Sequence, residues 1–326
     1  MIQFSKENSF ELWVLSIELQ LFIFKFSNLQ IVFSLSSRIF KANYTCMKIV
    51  SIETGNFKLD GGAMFGVVPK SLWQRTNPAD ENNLCPWSMR SMLIDYGDRK
   101  VLIDNGIGDK QSEKFFGHFH LHGDDTLLKS LASHGCHPDD ITDVFLTHLH
   151  FDHCGGGIKY NEKGELVSVF KNATYWSNEA HWNLATNPND REKASFLKEN
   201  LIPMKESGQL DFIKTDGIFL PGFDVLFADG HTESQMIPHI EYQDKTIVFA
   251  ADLLPSVGHI PLPYVMGYDT RPLLTLQEKK VFLETAAAKG HTLFLEHDYY
   301  QSCCTLKQTE RGVKLDETFQ FEERFM

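Results

Sequence analysis

The sequence predicts an α+β domain, in which buried strands are separated by turns and flanked by a few outer helices. Three observations predict it. Short apolar runs recur between turn residues, the pattern of interior strands. Longer segments carry helical spacing, residues 274–289 most clearly. And four apolar runs are followed within one to three residues by a metal-capable side chain, His148, His231, Asp252 and His297.

The elements follow in order. Residues 48–53 alternate in polarity and open the strand series. A glycine-laced loop is expected at 59–66. Residues 91–96 and 100–104 flank Gly97-Asp98, a compact turn signal, and read as a hairpin. Residues 125–134 have helical spacing that stops at Gly135. Val144-Phe145-Leu146 is a buried strand, and it leads into Thr-His-Leu-His-Phe-Asp-His-Cys-Gly-Gly at 147–156. Beyond that stretch, 167–170 and 174–176 read as strands, and 178–185 and 190–200 as outer helices. The remaining strands are 223–228, 246–250 and 292–295.

Composition narrows the function. The chain has 326 residues and a net charge of −12, which argues against a nucleic-acid face because such a face needs a basic patch. Six cysteines are scattered without a CxxC pair, so free thiols in a reducing, cytoplasmic setting are expected. Cys154 reads as a small buried thiol. With 26 phenylalanines, an aromatic core is expected. The first 46 residues differ from the rest. Their apolar stretch is broken by Glu18, Lys25 and Asn28, so it is not the run of ~20 apolar residues that spans a membrane. It also lacks the layout of a signal peptide. The expectation is that residues 1–46 are an extension outside the folded domain, or stem from an upstream start, and that 47–326 form the working domain.

Residues 148–153 hold four candidate ligands. Side chains alternate along a strand, so His148 and His150 leave its end on one side. The chain then turns, and Asp152 and His153 can face a second point. Imidazole and carboxylate suit borderline divalent ions. Glycines 155–157 let backbone pass close to something. A lone His or Asp after a strand is ordinarily a cap or turn residue. Added to this cluster, however, His231, Asp252 and His297 complete seven candidate ligands. Ligating histidines need acceptors behind them, and Asp104, Glu296 and Asp298 are candidates. Met64, Phe65 and Trp73 either line an apolar pocket or pack in the core. His118, His120 and His122 are read as outside any metal site, and His134 and His137 as surface residues.

The H-x-H-x-D-H motif at His148, His150, Asp152 and His153, with His231, Asp252 and His297 after it, resembles the metallo-β-lactamase-fold hydrolases. The resemblance spans roughly residues 47–300. It implies a four-layer αββα sandwich, two β-sheets flanked by helices, with the site at one edge. It also implies that His148, His150 and His231 hold one metal, that Asp152, His153 and His297 hold a second, and that Asp252 bridges them. Position 150 keeps His where the oxygen-reducing branch has Glu, and Asp252 stands where lactamases proper use Cys. Residues 60–70 resemble the opening segment of quorum-quenching N-acyl-homoserine lactonase-like proteins. Residues 268–273, Tyr-Asp-Thr-Arg-Pro-Leu, are similar to that branch and to its relatives that cleave organophosphate triesters. Some lactonases of this fold carry a catalytic tyrosine shortly after the bridging aspartate. Here Leu253, Leu254 and Pro255 follow Asp252, and either His259 or Tyr264 could substitute or pack the pocket wall.

The implied activity is dinuclear hydrolysis. Two divalent ions, zinc being expected, hold a hydroxide that attacks a lactone or ester carbonyl. Asp252 orients it, and Asp152 returns a proton to the leaving alkoxide. The expected substrate is a small molecule of the N-acyl-homoserine lactone type. Phosphotriester or thioester cleavage, and a non-catalytic metal-bound sensor, are the competing readings. No nucleic acid and no membrane partner are expected, and a homodimer is open.

Overall fold

Two β-sheets are built in succession, one from each half of residues 47–326, which are the residues the computed structural model describes. The expectation for residues 1–46 lies outside the described residues. The chain enters on β1 (Lys48–Asp60), which is longer than its alternating start suggests because it passes through a bulge between Glu53 and Asn56. A short helix, α1 (Gly61–Phe65), replaces the expected loop. Asp60 caps it by accepting from the Ala63 N–H at 2.8 Å, and Gly61 is required because a Cβ there would stand 2.3 Å from the Trp73 ring. The hairpin follows as β2 (Leu84–Asp95) and β3 (Lys100–Ile103), with Asp95 opposite Lys100.

Helix α2 (Leu127–Ser133) precedes β4 (Asp143–Phe145). The small hairpin β5 (Ile158–Tyr160) and β6 (Leu166–Ser168) stands apart from both main sheets. Then come β7 (Thr174–Ser177), α3 (Glu179–Thr186), α4 (Lys198–Glu206) and β8 (Leu210–Phe212). The first sheet is ordered β1-β2-β3-β4-β7-β8.

The helix expected at 190–200 is not formed. Residues 190–195 are turn, and α4 begins at Lys198. The Asn189 side chain accepts from the N–H groups of Arg191 and Glu192 at 3.0 and 3.2 Å, a local bond that competes with helix. The Ser195 carbonyl is meanwhile taken by the Phe151 N–H at 3.0 Å, which ties this turn to the 148–153 segment.

The second half gives β9 (Gly217–Leu220), β10 (Phe223–Ala228), β11 (Gln235–Tyr242) and β12 (Lys245–Phe249). Helix α5 (Pro272–Lys289) follows, then β13 (Thr292–Phe294), β14 (Cys303–Thr309) and β15 (Gly312–Phe319). Their order is β15-β14-β13-β12-β11-β10-β9. Strands β10 and β12 are each antiparallel to β11, so they run the same way, and β13 is parallel to β12. The exits of all three therefore lie on one edge.

Helices cover the outer faces. Leu127, Leu131, Trp182 and Met204 pack with Leu102, Val144 and Tyr175 on the first sheet, while α5 lies against β14 of the second. The inner faces meet where Phe145 of β4 packs on Phe219 and Phe223, at ring centroids of 5.4 and 5.1 Å. Phe145 and Phe223 are fully buried, and each contributes roughly 1.5–3 kcal/mol of transfer free energy. The expected αββα layering is the observed one. Among the described residues no helix is long and apolar enough to cross a membrane, and Cys85, Cys136, Cys154, Cys303 and Cys304 are free and buried.

Candidate metal centre

The edge where β4, β10, β12 and β13 end gathers the seven candidate ligands. Beyond β4, the Leu146 N–H donates to Trp176 O at 3.0 Å, and Thr147 O accepts from the Met236 N–H at 2.8 Å. The second of these bonds joins the two sheets directly ahead of His148. The segment 148–157 then turns tightly over the chain at 105–107. A Cβ on Gly155 would stand 2.2 Å from Ile107 O, and one on Gly156 would stand 2.1 Å from Asn105 O. The glycines thus buy the close approach that the sequence implied. His297 is fixed differently, because strand β2 pairs with its segment: Ser88 N–H donates to His297 O and Arg90 N–H to Glu296 O, both at 3.2 Å. Asp252 follows Ala251, whose φ of +43° is a strained backbone for a residue with a Cβ.

The ligand atoms form two adjoining groups. One atom each from His148, His150, His231 and Asp252 lie within 4.8 Å of one another, and so do those of Asp152, His153 and His297. In the first group His148 Nε2 and His231 Nε2 stand 3.0 and 3.2 Å from His150 Nδ1. In the second, His153 Nε2 and His297 Nε2 are 3.2 Å apart, and each stands about 4 Å from Asp152 Oδ2 (3.8 and 4.0 Å). Asp252 reaches both groups: Oδ2 is 3.0 Å from His231 Nε2, and Oδ1 is 3.0 Å from His297 Nε2.

Behind the rings stand acceptors that set which nitrogen faces inward. His148 Nδ1 meets Thr147 Oγ1 at 3.1 Å, His231 Nδ1 meets Asp269 at 3.0 Å, and His297 Nδ1 meets Ser88 O at 2.8 Å. His153 Nδ1 lies 3.0 Å from Asp104 and 3.1 Å from Glu296. With Nδ1–H directed outward, these four rings present Nε2 lone pairs to the centre. His150 is reversed, with Nδ1 inward and Nε2 3.7 Å from Glu192.

This donor set fits divalent cations. Nitrogen lone pairs at 3.0–3.2 Å from one another repel unless something positive lies between them. Asp252 Oδ1, though buried, accepts no hydrogen bond. The field is also right. Burial opposes charge on His231 and His297, yet Asp252 with Asp269 raises the first to about 10, and Asp252 with Glu296 raises the second to about 9. Burial also works against ionisation of Asp252, but His231, His297 and His153 hold its carboxyl well below the usual range. The carboxylates that draw a proton onto His231 and His297 would draw a divalent cation by the same attraction, while burial and the neighbouring rings lower His148 and His150 and keep them neutral donors.

Several of these partners are invisible in the sequence. Glu192 lies in the stretch expected to be helix. It is buried, accepts from Thr232 Oγ1 at 2.9 Å and from Asn189 Nδ2 at 2.6 Å, and is pulled to about 2 against its burial by the nearby His150 ring and these two donors. His181 accepts from the Leu149 N–H at 2.8 Å, bracing the ligand segment. Burial depresses its pKa to about 3, which keeps it a neutral acceptor. Asp298, expected to serve His297, instead accepts from the N–H groups of Val257, Tyr300 and Gln301, all at 2.9 Å.

An opening of about 370 Å³ leads to the two groups, with Asp152, His231, Asp252 and His297 in its wall. Of the sequence-proposed pocket residues, Met64 lines it. Phe65 and Trp73 do not; they are stacked in the core at 5.3 Å. His259 does not line it either. Its nitrogens are used by Ser256 Oγ at 2.8 Å and Met64 O at 2.9 Å, and its ring stacks on Phe65 at 4.3 Å. Tyr264 packs edge-on to Phe65, outside the lining. The phenol in the wall is that of Tyr268, which burial and the carboxylates of Asp152, Asp60 and Asp252 push up to about 12. His118, His120 and His122 fall in neither ligand group.

Comparison with known proteins places this geometry. The family profile described as the metallo-beta-lactamase superfamily matches residues 88–297. An N-acyl homoserine lactonase of Bacillus thuringiensis is 22% identical over 270 residues, covering 79% of this chain and 95% of the relative. A solved structure described as a probable metal-dependent hydrolase from Staphylococcus aureus superposes with a TM-score of 0.76 at 29% identity, over 85% of this chain and 97% of that one. AidC, described as a dizinc quorum-quenching lactonase in complex with a product, has a TM-score of 0.69 at 19% identity, over 84% of this chain and 96% of its own.

Proposed function

The chain belongs to the metallo-beta-lactamase superfamily and is a metal-dependent hydrolase, and we propose that it opens lactones or related esters that carry an apolar acyl chain, with N-acyl-homoserine lactones as the substrate type. One observation carries the reading. Inward-facing ring nitrogens and the Asp252 carboxylate line a cavity to which Phe57, Leu59, Met64, Phe119, Phe151 and Met266 contribute a broad apolar face, with Arg191, Glu192 and Ser195 beside it. Such a cavity takes an apolar chain and presents one polar end to the donors.

His148, His150 and His231 would hold one divalent cation and Asp152, His153 and His297 a second, with Asp252 between them; zinc suits the nitrogen-rich set. When bound, such a pair lowers the pKa of water towards neutrality and polarises a carbonyl oxygen. The rest is done by the chain. The apolar walls hold the acyl chain and keep bulk water from the reacting ester. Asp252, fixed between His231 and His297, orients the attacking water by accepting its proton side. Asp152 lines the same wall, takes up the proton that the attacking water loses and passes it to the leaving alkoxide. Tyr268, held protonated, donates its phenol O–H to the carbonyl oxygen as negative charge grows there.

The test is a substrate panel on metal-loaded full-length protein: N-hexanoyl-homoserine lactone, an aryl ester, a paraoxon-type triester and a glutathione thioester. Lactone turnover should be fastest. A protein with two metals per chain that turns over neither lactone nor ester sinks the reading.

A further inference from the structure

Two loops form neighbouring banks of the cavity. Residues 187–197, between α3 and α4, supply Arg191, Glu192 and Ser195, and residues 260–271, ahead of α5, supply Met266, Gly267 and Tyr268. The second bank is anchored from beneath. Lys279 of α5 is 1% exposed, and its ammonium donates to the carbonyls of Pro261, Leu262 and Tyr264 at 3.1, 3.3 and 2.6 Å. The stretch beyond Tyr264 is tied to the fold by the Gly267 N–H, which donates to Ala63 O at 2.8 Å, and by the Thr270 N–H, which donates to His231 O at 3.0 Å. Arg191 adds the side-chain tie to the 187–197 loop. Its Nη2 reaches from the 187–197 bank and donates to Gly267 O and, at 3.1 Å, to Asp269 O. Among the described residues Arg191 is the one Lys or Arg lining the cavity. The residues beside its contacts face inward, with Glu192 near His150 and Asp269 bonded to His231. These ligand-backing groups fix where each bank meets the metal centre, while Arg191 fixes how far apart the banks stand at the rim.

We propose that Arg191 is a specificity-determining positioning residue, whose paired bonds to Gly267 and Asp269 set the width the cavity offers to the substrate's chain. This deepens the hydrolase reading above and rests on it. The consequence depends on chain length. A short acyl group is held at the metal centre and feels the rim little. A long one lies against Met266 and Tyr268, and it loses its wall when the bank is released. Methionine at 191 keeps the unbranched hydrocarbon but donates nothing. Lysine is a point charge that reaches one carbonyl at a time and lacks the planar fork.

The experiment compares wild type, Arg191→Met and Arg191→Lys as metal-loaded full chains, on homoserine lactones from butanoyl to dodecanoyl. For Arg191→Met, KM should rise about tenfold for the dodecanoyl substrate and less than about twofold for the butanoyl one, with Arg191→Lys between and kcat moving less than KM. Metal content should equal that of wild type. A fall in kcat that is the same for every chain length, or an unchanged KM profile, overturns the proposal. Hydrogen exchange reads the same idea without turnover. Amides at 265–270 should exchange faster in Arg191→Met while those of Phe223–Ala228 stay as they were, and equal exchange at 265–270 overturns it. A wild-type protein that opens no lactone or ester sinks the functional reading alone, and the exchange comparison still decides whether Arg191 holds the banks.

Discussion

Single side chains behind the ligands decide how well the ligands work. Asp269 fixes His231 with Nε2 towards the centre. Replacing it by Asn keeps an acceptor but removes the charge, and metal affinity should fall about tenfold; Ala should cost about 100-fold. Chelator competition on purified variants measures both, and wild-type affinity in Asp269→Ala would refute the role. Tyr268→Phe removes a donor without changing the wall. Its kcat on a lactone should fall about 100-fold with KM nearly unchanged. Because the phenol stands at about 12, it should add no limb to the pH–rate profile below about pH 11. The seven candidate ligands could be picked out from the sequence because four metal-capable side chains crowd into 148–153 and three more follow apolar runs later in the chain. Asp104 could be picked out too, at the end of an apolar run. Glu192, His181 and Asp269 could not, because nothing in a sequence says which carboxylate will back which ring.

At the scale of elements, the sharpest requirement is the turn that carries the ligand motif over residues 105–107. Gly156→Ala would push a methyl onto the Asn105 carbonyl, where backbone has no rotamer to yield. A loss of roughly 1–3 kcal/mol is expected, read as a lower urea midpoint. An unchanged midpoint would mean the turn is looser than its geometry implies. The motif strand was plain in the sequence, since Val144-Phe145-Leu146 has no polar residue to misplace it. The 190–200 segment was misread because its charged residues suit an outer helix equally well. The side chain of Asn189 and the pull of Phe151 on Ser195 decide against helix, and neither is a periodicity. For similar reasons α1 was expected as loop: five residues capped by Asp60 leave no helical period to see.

For the whole molecule, candidate ligands drawn from both sheets mean that a metal held by them would tie the two halves together. Removing it with a chelator should lower the melting temperature, by an amount matching up to ~4 kcal/mol when metal exceeds its dissociation constant 1,000-fold. Thermal melts with and without chelator check this, and identical melts would contradict a shared site. A second expectation concerns acid. Asp143, 3% exposed, is bonded by Arg99, by Thr142 Oγ1 at 2.6 Å and by Trp176 Nε1 at 2.8 Å. Burial would raise its pKa, but these donors win and lower it. A carboxyl lowered in the folded state contributes stability above its unfolded value near 3.9, and that contribution is lost as pH falls through the folded value. Asp143→Asn should therefore cost roughly 1–2 kcal/mol at pH 7, with Arg99 partly solvated, and progressively less below about pH 4. A penalty that persists undiminished at pH 2 would count against it. By itself the sequence determined the family, the candidate ligand set and the strands that carry it, because a strand's apolar run and the residue at its exit are local facts; β5, β8, β9, β11, β14 and β15 were not legible in it. Tertiary structure alone decided which carboxylate backs each histidine, that Phe65, Trp73 and His259 are core and Tyr268 is wall, and that Arg191 spans the rim. Those depend on where distant segments meet, and burial and hydrogen-bond geometry exist only once they have met.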